Sequence, residues 1–160
     1  MARKYPVTIR KAFLDEDILV AQHFYHLWLD NNISPNSIRV DWLEQTLNFI
    51  AQARQNLAFQ TFMAVINHQV IGSASCQLFA GLYPNPFQAD FRNYGYIWNV
   101  YVESSYRRQG IATLLTQTAI DHLEYLNCTH AILHASSQGK VVYENLGFVP
   151  KNEMVLELKK

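Results

Sequence analysis

An α/β fold is predicted for this 160-residue chain from three observations. The first is the run Tyr96-Ile97-Trp98-Asn99-Val100-Tyr101-Val102, rich in the aromatic and β-branched side chains that suit a pleated, well-buried surface. The second is a tight turn leading into a helical pattern. Arg107 to Ala112 places Gly110 and a very small residue where the backbone must turn tightly, and then Ile111, Leu114, Leu115, Ala119, Leu123 and Leu126 recur at helical spacing. The third is a pair of strand-like runs, Phe59 to Ile66 and Val70 to Phe79, joined by Asn67-His68-Gln69 as a short hairpin signal.

Composition bounds the class. A hydrophobic fraction of 49% against 16% charged residues argues for a folded chain, and the length fits a single domain over residues 1–160 that buries a proper core. Thirteen basic and thirteen acidic side chains cancel, so nothing points to nucleic acid as a partner. Cys76 and Cys128 stand alone, which makes neither a disulfide framework nor a zinc pattern. The opening Met-Ala-Arg-Lys-Tyr-Pro lacks the apolar centre of a signal peptide, and no apolar run is long enough for a membrane span. The cytoplasm is the expected location.

Taken in order, Val7 to Arg10 is a short first strand, and Asp15-Glu16-Asp17 signals a helix start because acidic groups complement the helix dipole. Ile18, Ala21, Tyr25, Trp28 and Leu29 keep to one side of that helix, which stops at Asp30-Asn31-Asn32. Ser34-Pro35 reads as a cap followed by a first-turn proline. Trp42, Leu43, Leu47, Ile50 and Ala53 then hold the helical period from Ile38 to about Arg54. The segment from Ala80 to Asn93 is irregular and aromatic, carrying Leu82, Tyr83, Phe87 and Phe91 among Gly81, Pro84, Asn85 and Pro86. An irregular stretch of that length usually has work to do: a wall over a cleft, a dimer contact or an apolar plug, with Asp90 and Arg92 as its charges. Ala131-Ile132-Leu133 reads as another strand, Lys140 to Leu146 as a short helix ended by Gly147, and the alternating Met154-Val155-Leu156-Glu157-Leu158 as the last strand.

Chemistry concentrates at the turn after Val102. A helix N-terminus offers several N–H groups without a partner inside the helix, and its dipole favours negative charge. Small residues let a phosphate come close, and Arg107 and Arg108 add charge, so the turn reads as a pyrophosphate cradle. An ordinary exposed turn is the plainer alternative. The triphosphate loop needs Lys-Ser or Lys-Thr and the dinucleotide fingerprint needs three glycines, and neither pattern is present. His23 and His26, one helical turn apart, lack a third ligand nearby, so no metal site is expected.

Arg107-Arg108-Gln109-Gly110-Ile111-Ala112 resembles the Arg/Gln-x-x-Gly-x-Gly/Ala signature of the GCN5-related N-acetyltransferase superfamily, with the usual Val-x-x-x-x-Tyr-Arg lead-in at Val102 to Arg107. Tyr143-Glu144-Asn145-Leu146-Gly147-Phe148 is similar to a second block of that family, Tyr-Glu-x-Leu-Gly-Phe. The likeness covers the C-terminal half well. In the N-terminal half only the succession of elements fits.

The resemblance implies a mixed, mostly antiparallel sheet of six or seven strands, flanked by helices and split like a V near Val102. It implies an N-acetyltransferase that moves the acetyl group of acetyl-CoA to a primary amine of a small molecule or peptide by direct attack in a ternary complex. A non-catalytic acyl-CoA-binding or regulatory protein of the same fold is the alternative. The family's roles carry over as pantetheine-holding backbone at Val100, Tyr101 and Val102, a diphosphate cradle from Arg107 through Arg108, Gln109, Gly110, Ile111, Ala112 and Thr113, and a cofactor contact or helix cap at Ser136. Tyr143 takes the part of the acid that protonates the leaving thiolate. No metal is implied, and relatives that pair make a homodimer the expected assembly. The base stays unassigned: the family's glutamate position holds Tyr96, and Asp90, Glu103 and His134 remain candidates.

Overall fold

The computed structural model describes residues 6–158. Five strands form one sheet in the order β1-β2-β3-β4-β5: β1 Thr8–Lys11, β2 Gln60–Ile66, β3 Gln69–Leu78, β4 Tyr94–Val102 and β5 His130–Ile132. The first four pair antiparallel and β5 joins β4 parallel. Helices α1 (Asp17–Asp30), α2 (Trp42–Asn56), α3 (Ile111–Tyr125) and α4 (Lys140–Asn145) complete the chain.

The hairpin between β2 and β3 turns on Asn67 and His68, both in the left-handed region at φ 47° and 66°, as a two-residue turn matched to strand twist requires. Two apolar clusters lie on opposite faces of the sheet. Phe62, Ala64, Ile71, Ile97 and Val102 pack on Ile111, Leu115, Ala119 and Leu123 of α3. Met63 and Phe59 pack on Val20 of α1 and Ile50 and Ala53 of α2. The molecule is therefore helix, sheet, helix in three layers.

Several expectations need correction. The sheet has five strands among the described residues, because Met154 to Leu158 is not a strand. Its alternating apolar side chains are largely exposed, Met154 at 95% and Leu158 at 79%. Alternation qualifies a segment for a sheet but supplies no partner edge. The second helix starts at Trp42 and not Ile38. Ser34 does act as a cap, its Oγ accepting from Asn36 N–H at 3.3 Å, but only a three-residue 3-10 turn comes after it, Pro35–Ser37. An Arg39–Asp41 ion pair then precedes the helix. The even spacing of His130 and His134 about Ala131-Ile132-Leu133 predicts that both share one strand face, but His134 falls beyond the end of β5.

Candidate active site

β4 is the element that builds the site, and it is not a regular strand. Ser75 pairs with Trp98 but Ser73 with Tyr101, so two residues of β4, Asn99 and Val100, oppose the single residue Ala74. This is a β-bulge, and it exchanges the faces of the strand. Before it Trp98 points to the helices α1 and α2, with its ring 5.1 Å from Phe24 and 5.5 Å from Phe49. After it Tyr101 takes that side, 4.8 Å from His23 of α1, while Val100 and Val102 turn to the α3 layer. Asn99 sits at the bulge with φ 54°, a conformation asparagine tolerates better than most residues. Its Nδ2 donates to the Val20 carbonyl of α1 at 3.0 Å, while its buried Oδ1 has no partner among the described residues.

The sheet then parts. β5 pairs with β4 only along Tyr94 to Tyr96, and from Ile97 to Val102 β4 runs on without it. The opening is one side of a cleft of about 1430 Å³, larger than the roughly 300–1,000 Å³ of a single small-molecule site. Val100, Tyr101, Val102, Arg107, Arg108, Gly110, Ile111, Ala112, Thr113, Ser136 and Tyr143 all line it. Gln109 belongs to the same turn but is not part of the lining.

At the floor of one end stands the N-terminus of α3. Gly110 is its N-cap with φ 75°, and no side chain caps it among the described residues. Arg108 is also left-handed, at φ 59°. Leu114 N–H makes the first bond of the helix, to Gly110 O at 3.2 Å. The amides of Ile111, Ala112 and Thr113 stand ahead of it, as helix geometry demands, at a concave turn suited to an anion. The charge there differs from expectation. The guanidinium of Arg107 is held by the carboxylate of Asp30 at the end of α1, and its Nε donates to the Val102 carbonyl at 2.7 Å. Arg107 thus pins the turn to α1 and β4, and the exposed cation of the turn is Arg108.

On the far wall Ser136 caps the entry to α4, its Oγ accepting from Gly139 N–H at 3.1 Å. Gly139 leaves room for the Tyr143 ring, since a Cβ there would lie 2.8 Å from Tyr143 Cε2. Burial pushes the Tyr143 phenol up to about 12, so it stands protonated as a donor. Gly147, at φ 91°, ends the helix.

A second group emerges that sequence reasoning had named only in parts. Tyr96 Oη lies 2.7 Å from His134 Nδ1, and His134 Nε2 lies 2.8 Å from a Glu153 carboxylate oxygen. A carboxylate only accepts, so Nε2 carries a proton; in the neutral ring Nδ1 then accepts from the Tyr96 hydroxyl. Burial, and behind it the charge of Glu153, raises the Tyr96 phenol above its ordinary value. Tyr96 and His134 both line the cleft.

The other candidates sit elsewhere. His23 is buried, with Nδ1 2.8 Å from Ser73 Oγ, and desolvation lowers it to about 4, with the nearby His26 adding to the effect. The 80–93 segment does not line the cleft. Arg92 is spent on its own loop, donating to Tyr83 Oη at 3.1 Å and lying over the Tyr94 ring at 4.8 Å. The loop's stem approaches the site at Phe79, whose ring lies 6.0 Å from that of Tyr96. Among the described residues no cluster of three His, Cys, Asp or Glu side chains forms a metal site, and no helix is long and apolar enough to cross a membrane.

Comparison with known proteins places this geometry. The family model described as Acetyltransferase (GNAT) family matches residues 17–148. N-alpha-acetyltransferase 30 of Xenopus laevis is 34% identical over 91 residues, which is 55% of this chain and 31% of that protein. The human protein of the same name is also 34% identical over 91 residues, 23% of its length. The chain thus spans a third or less of these curated relatives. A crystal structure of a predicted acetyltransferase with acetyl-CoA from Clostridium acetobutylicum is 28% identical, with a TM-score of 0.80 and 96% of each chain covered. A GCN5-related N-acetyltransferase from Ralstonia eutropha, 20% identical with a TM-score of 0.79 over 96% of this chain and 99% of that one, shares the fold.

Proposed function

The chain belongs to the GNAT acetyltransferase family, and we propose that it transfers the acetyl group of acetyl-CoA to a primary amine. The observation that carries this reading is the cleft itself. It joins an uncapped helix N-terminus, a parted strand and a protonated phenol in one continuous space.

In this proposal the amides of Ile111, Ala112 and Thr113, with Arg108, hold the diphosphate of the co-substrate. The main chain of β4 from Val100 to Val102, free of β5 there, holds its pantetheine arm and orients the thioester. When bound, acetyl-CoA supplies the activated acetyl group. The Clostridium protein, crystallised with acetyl-CoA on a fold matching 96% of this chain, supports that assignment. The relatives named as N-alpha-acetyltransferases support an amine as the acceptor.

Two protons must move. Tyr96 Oη takes one from the amine while passing its own to His134 Nδ1, and the resulting imidazolium is stabilised by Glu153. Tyr96 needs no depressed pKa for this, because it relays a proton and does not have to exist as a phenolate. Tyr143 Oη supplies the other proton to the departing sulfur. Its raised pKa keeps it protonated through the neutral range, and it gives up that proton only as negative charge develops on the sulfur beside it.

The test is thiol release from acetyl-CoA in the presence of amines, with CoA affinity followed by calorimetry. Tyr143→Phe and Tyr96→Phe are each expected to lower kcat about a hundredfold while CoA affinity stays as in the parent. An unchanged kcat in Tyr143→Phe removes the acid role, and an unchanged kcat in Tyr96→Phe removes the relay.

A further inference from the structure

We infer that the acceptor is a primary amine carrying one uncharged apolar arm, of aromatic or branched aliphatic size. This deepens the transferase reading above and rests on it.

The wall of the cleft around Trp98 is built by α1, the segment after it and α2. Its lining includes Phe24, Leu27, Trp28, Ile33, Phe49 and Trp98. Three of these are exposed, Trp28 at 43%, Ile33 at 39% and Phe49 at 49%. A single exposed apolar side chain needs no explanation. Three around the rim of one cleft, continuous with half-buried rings beneath, form a patch of the kind that marks a binding site. The rings are also braced. Phe24 and Phe49 meet the Trp98 indole edge-on, at 81° and 86°, and Phe24 is 5.7 Å from Trp28 at 71°. Edge-to-face contacts of this kind hold ring faces in place, so the wall is preformed.

Charge narrows the choice. Asp30 is the one carboxylate in the lining among the described residues, and it is committed to Arg107. The other polar groups on that side, Asn31, Gln45 and Thr46, are neutral. Glu153 lies outside the lining and is engaged by His134, so a polyamine or an aminoglycoside would bring further ammonium groups to a wall with no free carboxylate to meet them, and unpaired charges are costly to desolvate. A single amine has Tyr96 and His134 at the end of the same wall. The shared chemistry, one amine beside one apolar arm, belongs both to an arylalkylamine and to a peptide N-terminus with an apolar first side chain.

The experiment assays the full chain with acetyl-CoA against phenethylamine, the peptide Phe-Ala-Ala-Ala amide, spermidine and kanamycin, with CoA affinity measured calorimetrically in parallel. At least one of the first two is expected to show a kcat/KM roughly tenfold or more above the last two. Phe49→Ala should lower kcat/KM for the preferred acceptor about tenfold through the amine KM, with CoA affinity unchanged. Phe49→Glu should shift the preference toward spermidine. Turnover of phenethylamine alone assigns a free amine and turnover of the peptide alone assigns a peptide terminus, and either supports the inference. Spermidine or kanamycin matching the apolar acceptors overturns it and leaves the transferase reading standing. A Phe49→Ala variant that loses CoA affinity but keeps its amine KM does the same. CoA binding without acetylation of any of the four overturns the transferase reading together with this one.

Discussion

His23 shows what this fold does with a titratable side chain that the sequence leaves ambiguous. Paired with His26 on one helix, it had the spacing of a metal ligand, but its neighbours are Ser73 Oγ at 2.8 Å and the Tyr101 ring at 4.8 Å. Burial lowers its pKa to about 4, against about 6.5 in an unfolded chain. Between those values the unfolded state binds the extra proton, so stability from this group is complete above pH 6.5 and is lost as pH falls toward 4. The size of the effect is about 2 kcal/mol between pH 7 and pH 5. Urea unfolding at the two pH values should show that loss in the parent and a much flatter response in His23→Asn. An equal loss in both proteins contradicts the assignment. Tyr143 was legible from its family block, and Tyr96 and His134 were each visible singly. Their contact was not, because it forms across the parallel pairing of β4 with β5, a tertiary event that no local spacing encodes.

Among the elements, β4 lines the cleft from Tyr96 to Val102, and its key feature was the hardest to read. Tyr96 to Val102 reads as one continuous aromatic and β-branched strand, yet the bulge at Asn99 and Val100 exchanges its faces. The available signal was Asn99 itself, a residue depleted in strands and at ease in the left-handed region. Asn99→Gly and Asn99→Ala remove the same hydrogen bond to Val20 and differ mainly in backbone freedom. The glycine variant should therefore be the more stable of the two by about 1 kcal/mol, read from urea midpoints. An alanine variant as stable as the glycine one means the bulge does not depend on φ at this position. The turn after β4 was legible because glycine at a helix start has few other uses, whereas the engagement of Arg107 by Asp30 joins residues 77 apart in sequence and was not. The last expected strand failed for the opposite reason. Its pattern was plain in Met154 to Leu158, but pairing is decided by an available edge and not by alternation.

At the scale of the whole molecule, two helical layers on a split sheet leave one continuous cleft between the turn before α3 and the aromatic wall. Fold class, strand–turn–helix order and the glycine turn at the start of α3 were all readable from residue pattern, since each is local. Which side chains face one another across the cleft depends on how far β5 stops short of Val102 and on the bulge opposite Ala74. The central claim is that the leading amides of α3 and the stretch of β4 that runs on beyond β5 together grip an acylated carrier. Titrating the ¹⁵N-labelled chain with CoA tests it most directly. The account predicts saturable shifts in the amide resonances of Arg108 to Thr113 and of Val100 to Val102. Saturable binding that moves resonances elsewhere and leaves these in place, or no binding at all, contradicts it.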